Sequence, residues 1–216
     1  MMISYLGQSC FKLQDKLGPE GVTLVTDPFN KELGLKVPNF EADIVTVSHQ
    51  HPDHNNVGAL RGTPFVIDTA GEYDIKNVMI QGLEAFHDSK GGAERGKNII
   101  YRIEMDDLTL VHLGDLGHIL TDAQLDQLDK VDILFIPVGG KYTIDAKMAV
   151  EIIGQLEPRI VIPMHYKLPG LKAELDPVEK FIKELGVEPK REEKLKIAKK
   201  DLPVEGMDLV ILEIVS

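Results

Sequence analysis

The chain has 216 residues, 43% of them hydrophobic and 27% charged, with one cysteine, no tryptophan and a net charge of −11. A chain of this size buries a core without disulfides, and Cys10 has no partner for an intrachain one, which predicts a reducing, cytoplasmic setting. The acidic balance and scarce aromatics argue against a nucleic-acid partner, and no apolar run nears the roughly 18 residues of a membrane span, so one soluble domain over 1–216 is expected.

Residues 1–5 carry no basic segment leading into an apolar stretch, so no secretory leader is expected. Short apolar runs at 3–6, 10–13, 22–26 and 44–47 read as strands. Turn-like stretches such as 17–21 between the first of them predict a β-meander. Residues 65–67 and 77–86 continue the strand pattern, and runs at 99–103 and 108–113 flank Asp106-Asp107, a pair suited to a hairpin turn. The second half alternates differently. Thr121 is a candidate N-cap with Gln124 three residues on, which predicts a capped helix over 121–128. A strand at 133–136, a helix at 146–156, a strand at 160–162 and a helix over 177–185 opening on proline follow, and 209–215 closes as a strand. The basic stretch 190–200 contains glutamates of its own and reads as a solvated face. Many strands with few helices predict a layered α/β domain, and the strands-first order disfavours a plain doubly wound sheet.

The densest chemistry follows the strand at 44–47, in Ser48-His49-Gln50-His51-Pro52-Asp53-His54-Asn55-Asn56. A solvated loop has little use for three adjacent imidazoles, whereas zinc, iron and manganese accept imidazole nitrogens and carboxylate oxygens. Further ligands are expected at other strand ends, where an anchored backbone aims the side chain. His87 follows the run 79–86, Asp115 lies in Leu113-Gly114-Asp115-Leu116-Gly117, and His165 follows Ile160-Val161-Ile162-Pro163-Met164. His112 sits inside an apolar strand and reads as a core group. His118, three residues after Asp115, reads as a proton donor or substrate contact at the site mouth. Lys141-Tyr142 and Glu72-Tyr73 read as turn structure, with lining of the cleft as the alternative.

His49-Gln50-His51-Pro52-Asp53-His54 matches the His-x-His-x-Asp-His motif of the metallo-β-lactamase superfamily without a gap. His87, Gly114-Asp115 and His165 follow in the order of that family's later ligand motifs, so the chain resembles the superfamily over almost its whole length. Leu6-Gly7-Gln8-Ser9-Cys10-Phe11, Thr26-Asp27-Pro28-Phe29 and Pro137-Val138-Gly139-Gly140-Lys141-Tyr142-Thr143 resemble the small-domain branch that includes L-ascorbate-6-phosphate lactonase-like proteins. Gln8 stands where many of that branch carry histidine. The resemblance implies a four-layer αββα sandwich with the site along one edge between the sheets. It implies two divalent metal ions, zinc first, with manganese or iron as alternatives. His49, His51 and His87 would hold one, Asp53, His54 and His165 the other, and Asp115 would bridge them.

A water shared by two such ions has its pKa lowered toward ~7. The resemblance therefore implies hydrolysis by a metal-bridging hydroxide, on an ester, lactone or phosphodiester of a small-molecule substrate, with Asp53 orienting the nucleophile; beside it, His118 is the second candidate catalytic residue, by its position after Asp115. A homo-oligomer is compatible with it, since relatives often assemble. Two other readings stay open: an iron oxidoreductase resembling mononuclear sulfur dioxygenases, and a non-catalytic metal-binding protein.

Overall fold

The computed structural model describes residues 1–15 and 21–215, so most of the turn expected at 17–21 lies outside the described residues. β1 (Met2–Gly7), β2 (Cys10–Gln14) and β3 (Thr23–Thr26) form the expected antiparallel meander. β4 (Ile44–Thr46) and β5 (Phe65–Ile67) add to it in parallel. Parallel neighbours need a crossover rather than a hairpin. Here the crossovers are loops carrying single 3-10 turns at Lys31–Leu33 and Val57–Ala59.

β6 (Gly71–Ile75), β7 (Val78–Phe86), β8 (Lys97–Met105) and β9 (Leu108–His112) form a second antiparallel run. After α1 (Asp122–Leu125) the pattern becomes β10 (Ile133–Pro137), α2 (Ala146–Leu156), β11 (Ile160–Met164) and α3 (Val178–Leu185). The chain finishes with β12 (Lys190–Glu192), β13 (Leu195–Lys196) and β14 (Asp208–Leu212). Strand order is β13-β1-β2-β3-β4-β5 in one sheet and β12-β14-β11-β10-β9-β8-β7-β6 in the other.

Every residue of β10 and β11 is buried, as parallel strands covered on both faces require. α2 covers one face as the β10–β11 crossover. Its buried stripe, Ala146, Ala149, Ile152, Ile153 and Leu156, has helical spacing, and the Asp145 carboxylate caps it by accepting the Met148 N–H at 2.9 Å. The two sheets face each other across an apolar core in which Phe11 of β2 and Phe135 of β10 have ring centroids 4.4 Å apart. Two polar links also cross it: the Tyr101 hydroxyl donates to the Val47 and Ile67 carbonyls, both at 2.9 Å, and His112 Nε2 lies 2.9 Å from the Ser9 carbonyl. Among the described residues no helix is long and apolar enough to cross a membrane.

Three strands depart from the sequence reading. Glu72-Tyr73 is strand, not turn: β6 pairs with β7 through a two-residue loop, Lys76-Asn77, whose φ angles of 53° and 63° suit a type I′ hairpin. Asp106-Asp107 repeats that geometry at the turn where it was expected, with φ of 56° and 62°. The basic stretch is exposed as expected, yet it hydrogen-bonds on both sides. β12 runs along β14, and β13 along β1, so one short segment covers an edge of each sheet. Lysine and arginine there discourage pairing with a further chain. The helix expected over 121–128 has its capping box but ends at Leu125.

Candidate metal centre

The loops following β4, β7, β9 and β11 and the β1–β2 turn open at one end of the sandwich. They bring together all seven residues that the sequence points to as candidate ligands. His49, His51 and His87 form one group, His49, His54 and Asp115 a second, and Asp53, His54 and His165 a third, with the candidate donor atoms of each group within 4.8 Å of one another. Asp115 Oδ2 lies 3.3 Å from His54 Nε2, 3.2 Å from His87 Nε2 and 3.1 Å from His165 Nε2. Asp53 Oδ2 lies 3.4 Å from His54 Nε2. Donors that share a tetrahedral metal at about 2.0–2.1 Å are separated by about 3.3 Å, so this spacing is that of co-ligands. The Nε2 atoms of His49 and His54 are buried and have no hydrogen-bond partner, a costly state unless a cation takes their lone pairs. The donor set therefore fits divalent metal.

The Asp27 carboxylate orients two of these candidate ligands. It is fully buried at the end of β3. Oδ1 accepts the Ser48 N–H at 2.7 Å, and Oδ2 accepts the Ser48 hydroxyl at 2.6 Å and faces His54 Nδ1 at 2.9 Å. The Ser48 hydroxyl, having donated to Asp27, receives His49 Nδ1 at 2.9 Å. Both rings are thus held with Nδ1 protonated and Nε2 turned to the site. In the sequence Asp27 shares with His87 and Asp115 the position of a polar residue just past an apolar strand.

Asp115 is aimed by its backbone. Its N–H donates to Asn98 Oδ1 at 2.9 Å, and the Asn98 amide donates to the Leu113 carbonyl at 2.9 Å. Gly114 precedes it at φ 56°, where a Cβ would come within 2.4 Å of Asn98 Oδ1, so glycine is required. His112, fully buried, accepts the Gly114 N–H on Nδ1 at 3.2 Å, so both its ring nitrogens contact backbone. The β1–β2 turn, whose Gln8 stands where the resembling branch often has histidine, supplies two more contacts: Gln8 Nε2 donates to Asp53 Oδ2 at 3.0 Å, and the Ser9 hydroxyl lies 3.4 Å from Asp115 Oδ1.

His87 and His165 are held by their backbones. The His165 N–H donates to the Gln8 carbonyl at 2.9 Å, and Gly139 packs so tightly there that a Cβ would stand 2.0 Å from the His165 carbonyl. The His87 N–H donates to the Gly96 carbonyl at 3.1 Å, closing the loop between β7 and β8. Asp88 organises that loop by accepting the N–H groups of Lys90, Gly92, Glu94 and Arg95 at 2.8, 2.9, 3.0 and 2.8 Å. Burial opposes its ionisation, but the four donors outweigh it and hold the carboxyl at about 2. The carboxylate's stabilising effect is therefore complete above its unfolded value near 4 and is lost as pH falls toward 2. Asp88→Asn should melt at lower temperature than wild type at neutral pH, with the gap closing between about pH 4 and 2. A gap independent of pH in thermal melts would show that the charge is not what holds the loop.

The remaining electrostatics suit a cation. Burial pushes His49 down to about 3, with the nearby His54 adding to the shift, so its ring is neutral and its lone pair available. Burial also disfavours the charged form of His54, but Asp115, Asp27 and Asp53 outweigh it and raise that ring. Burial works against ionisation of Asp115 and Asp53 too. The imidazoles around each, His165 and His54 for Asp115 and chiefly His54 for Asp53, hold both carboxyls below the ordinary range.

His118 lies differently from the expectation. Its Nε2 accepts the Phe86 N–H at 3.2 Å and its Nδ1 meets the Ile119 carbonyl at 2.8 Å. Both ring nitrogens are committed to backbone, which leaves neither free to pass a proton to a substrate.

A family profile described as a beta-lactamase superfamily domain matches residues 2–165. A metal-dependent hydrolase of Carboxydothermus hydrogenoformans is 27% identical over 217 residues, covering 87% of this chain and 94% of that one. The crystal structure of an inferred Zn-dependent hydrolase of the metallo-beta-lactamase superfamily from Thermotoga maritima is 39% identical, with a TM-score of 0.81 and coverage of 98% of both chains. A metallo hydrolase from Ignicoccus hospitalis, 21% identical over 86% of this chain and 90% of its own, shares the fold with a TM-score of 0.61. The chain belongs to the metallo-β-lactamase superfamily, as one of its metal-dependent hydrolases.

Proposed function

We propose that the protein hydrolyses an ester, lactone or phosphodiester bond of a small-molecule substrate with two divalent metal ions, zinc being favoured by the name given to the Thermotoga maritima relative. The observation that carries this reading is Asp115, one of whose carboxylate oxygens stands 3.1–3.3 Å from ring nitrogens of His54, His87 and His165. These histidines come from three separate loops and divide between two donor groups, which supports a reading in which the carboxylate serves both. In this reading His49, His51 and His87 hold one ion, and Asp53, His54 and His165 hold the other. When bound, such a pair supplies Lewis acidity and a hydroxide nucleophile at neutral pH.

The chain's own residues do the rest. Asp115 would offset the repulsion between two dications. Gln8 fixes one oxygen of Asp53 without adding charge. Asp27 keeps the imidazole protons of His49 and His54 away from the site. His118 fastens the loop after β9 to β7 and takes no part in proton transfer in this reading.

His51 is the ligand to test first, because it is exposed and its replacement leaves the core intact. His51→Ala is expected to lose about one metal ion per chain by elemental analysis, and with it hydrolysis across a panel of nitrophenyl esters, lactones and phosphodiesters. Zinc added back after chelation should restore wild-type activity and leave the variant inactive. Turnover that survives both chelation and His51→Ala would place the activity elsewhere.

A further inference from the structure

A cleft of about 410 Å³ opens beside His49 and His51, with Asp68, Thr69 and Arg95 on its walls. It is of small-molecule size. The one lysine on its walls, Lys97, pairs with Glu84, which also lines the cleft, at 2.8 Å. Asp68 is engaged by the Gln50 amide at 3.2 Å. Arg95 differs. Among the described residues its guanidinium has no carboxylate within ion-pair distance; it lies over the ring of Tyr142 instead, 5.0 Å from the centroid. A guanidinium over an aromatic face is attracted by the ring without spending its N–H donors. Its backbone N–H is held by Asp88, and the next residue, Gly96, accepts the N–H of His87. The cation is therefore tied to the loop that carries a metal ligand.

An open guanidinium fork on the wall of a cleft, in a chain of net charge −11, is suited to a planar or tetrahedral oxyanion. We propose that Arg95 is a specificity-determining residue that binds a carboxylate or phosphate carried by the substrate away from the scissile bond. The inference rests on the hydrolytic reading above and adds the substrate class: an anionic ester or lactone. The Tyr142 face holds the guanidinium in register, and the metal-ligand side of the cleft receives the bond to be cleaved.

The test uses metal-loaded full-length protein and three 4-nitrophenyl esters: the neutral acetate, the hemiglutarate with its carboxylate tail, and a 4-phosphonobutyrate. Arg95→Ala should raise KM for the tailed esters about tenfold or more, change kcat little and leave the acetate untouched, with Arg95→Lys recovering part of the loss. An effect confined to one tail identifies which oxyanion is read. An unchanged KM for both tailed esters overturns the proposal, and so does an equal loss on the acetate, which would mark a structural role. If wild type cleaves none of the three, the ester form of the hydrolytic reading fails, and calorimetric titration with glutarate decides Arg95 separately. Binding that weakens about tenfold in Arg95→Ala then supports the assignment; equal or absent binding overturns it.

Discussion

Asp115→Asn is expected to cost on the order of a thousandfold or more in hydrolysis while leaving the fold in place. The substitution preserves shape, and the backbone that aims residue 115, its N–H on Asn98 and the turn at Gly114, is untouched. The change is one of charge at the point where His54, His87 and His165 converge. A neutral amide does not offset two dications, and turned the other way it presents N–H donors to ring nitrogens whose lone pairs are needed. Metal content should fall from about two ions per chain to one or fewer, with an unchanged circular dichroism spectrum. The metal-free variant should also be less stable than metal-free wild type by about 3 kcal/mol, because His54 stays buried with one of its compensating anions gone. Full metal content with full activity in Asp115→Asn would remove the carboxylate from the centre of the site.

Asp27→Asn should be nearly as damaging although Asp27 is not among the residues that would hold metal. The asparagine oxygen can still take the Ser48 N–H, but its NH₂ then faces the Ser48 hydroxyl and His54 Nδ1. Donation to Nδ1 moves the ring proton to Nε2, the atom that looks at Asp53 and Asp115. The Ser48 hydroxyl, no longer drawn to a carboxylate, is free to donate to His49 Nδ1 and invert that ring as well. Orienting partners of this kind are worth about 10–100-fold in metal affinity each, so a loss of about a hundredfold or more is expected in competition with a chromophoric chelator. Ser48→Ala, which disturbs only the His49 arm, should lose about tenfold. Imidazole nitrogen resonances would report the exchanged tautomers directly; unaltered resonances in Asp27→Asn would show that another group sets them.

The legibility of this site followed the distance over which each contact acts. His49, His51, Asp53 and His54 announce themselves because their spacing is local and follows a strand. His87, Asp115 and His165 are readable one step further out, since each stands where an apolar run stops. Asp27 obeys the same rule but shows no chemistry until its fold neighbours Ser48 and His54 are in place. Arg95 carries no signal in the sequence, because its meaning lies in what it is not paired with. His118 reads as chemistry by proximity to Asp115, and the backbone claims both of its nitrogens.

The fold shows the same division. The meander, the buried parallel strands and the capped helices follow from local periodicity and capping. β6, β12 and β13 do not, because edge strands that are largely exposed need no apolar alternation, and their identity is set by the neighbour they pair with. The crossovers of the six-stranded sheet are likewise 3-10 turns within loops, elements too short for a periodic signal.

The segment 190–196 seals one border of each sheet with a few exposed backbone pairings. Loss of this strip would strip both borders in a single event, baring β14 and β1 together. The two layers would then become templates for intermolecular β-stacking at once, so clipping there should drive the protein toward aggregation well before the metal centre itself is disturbed.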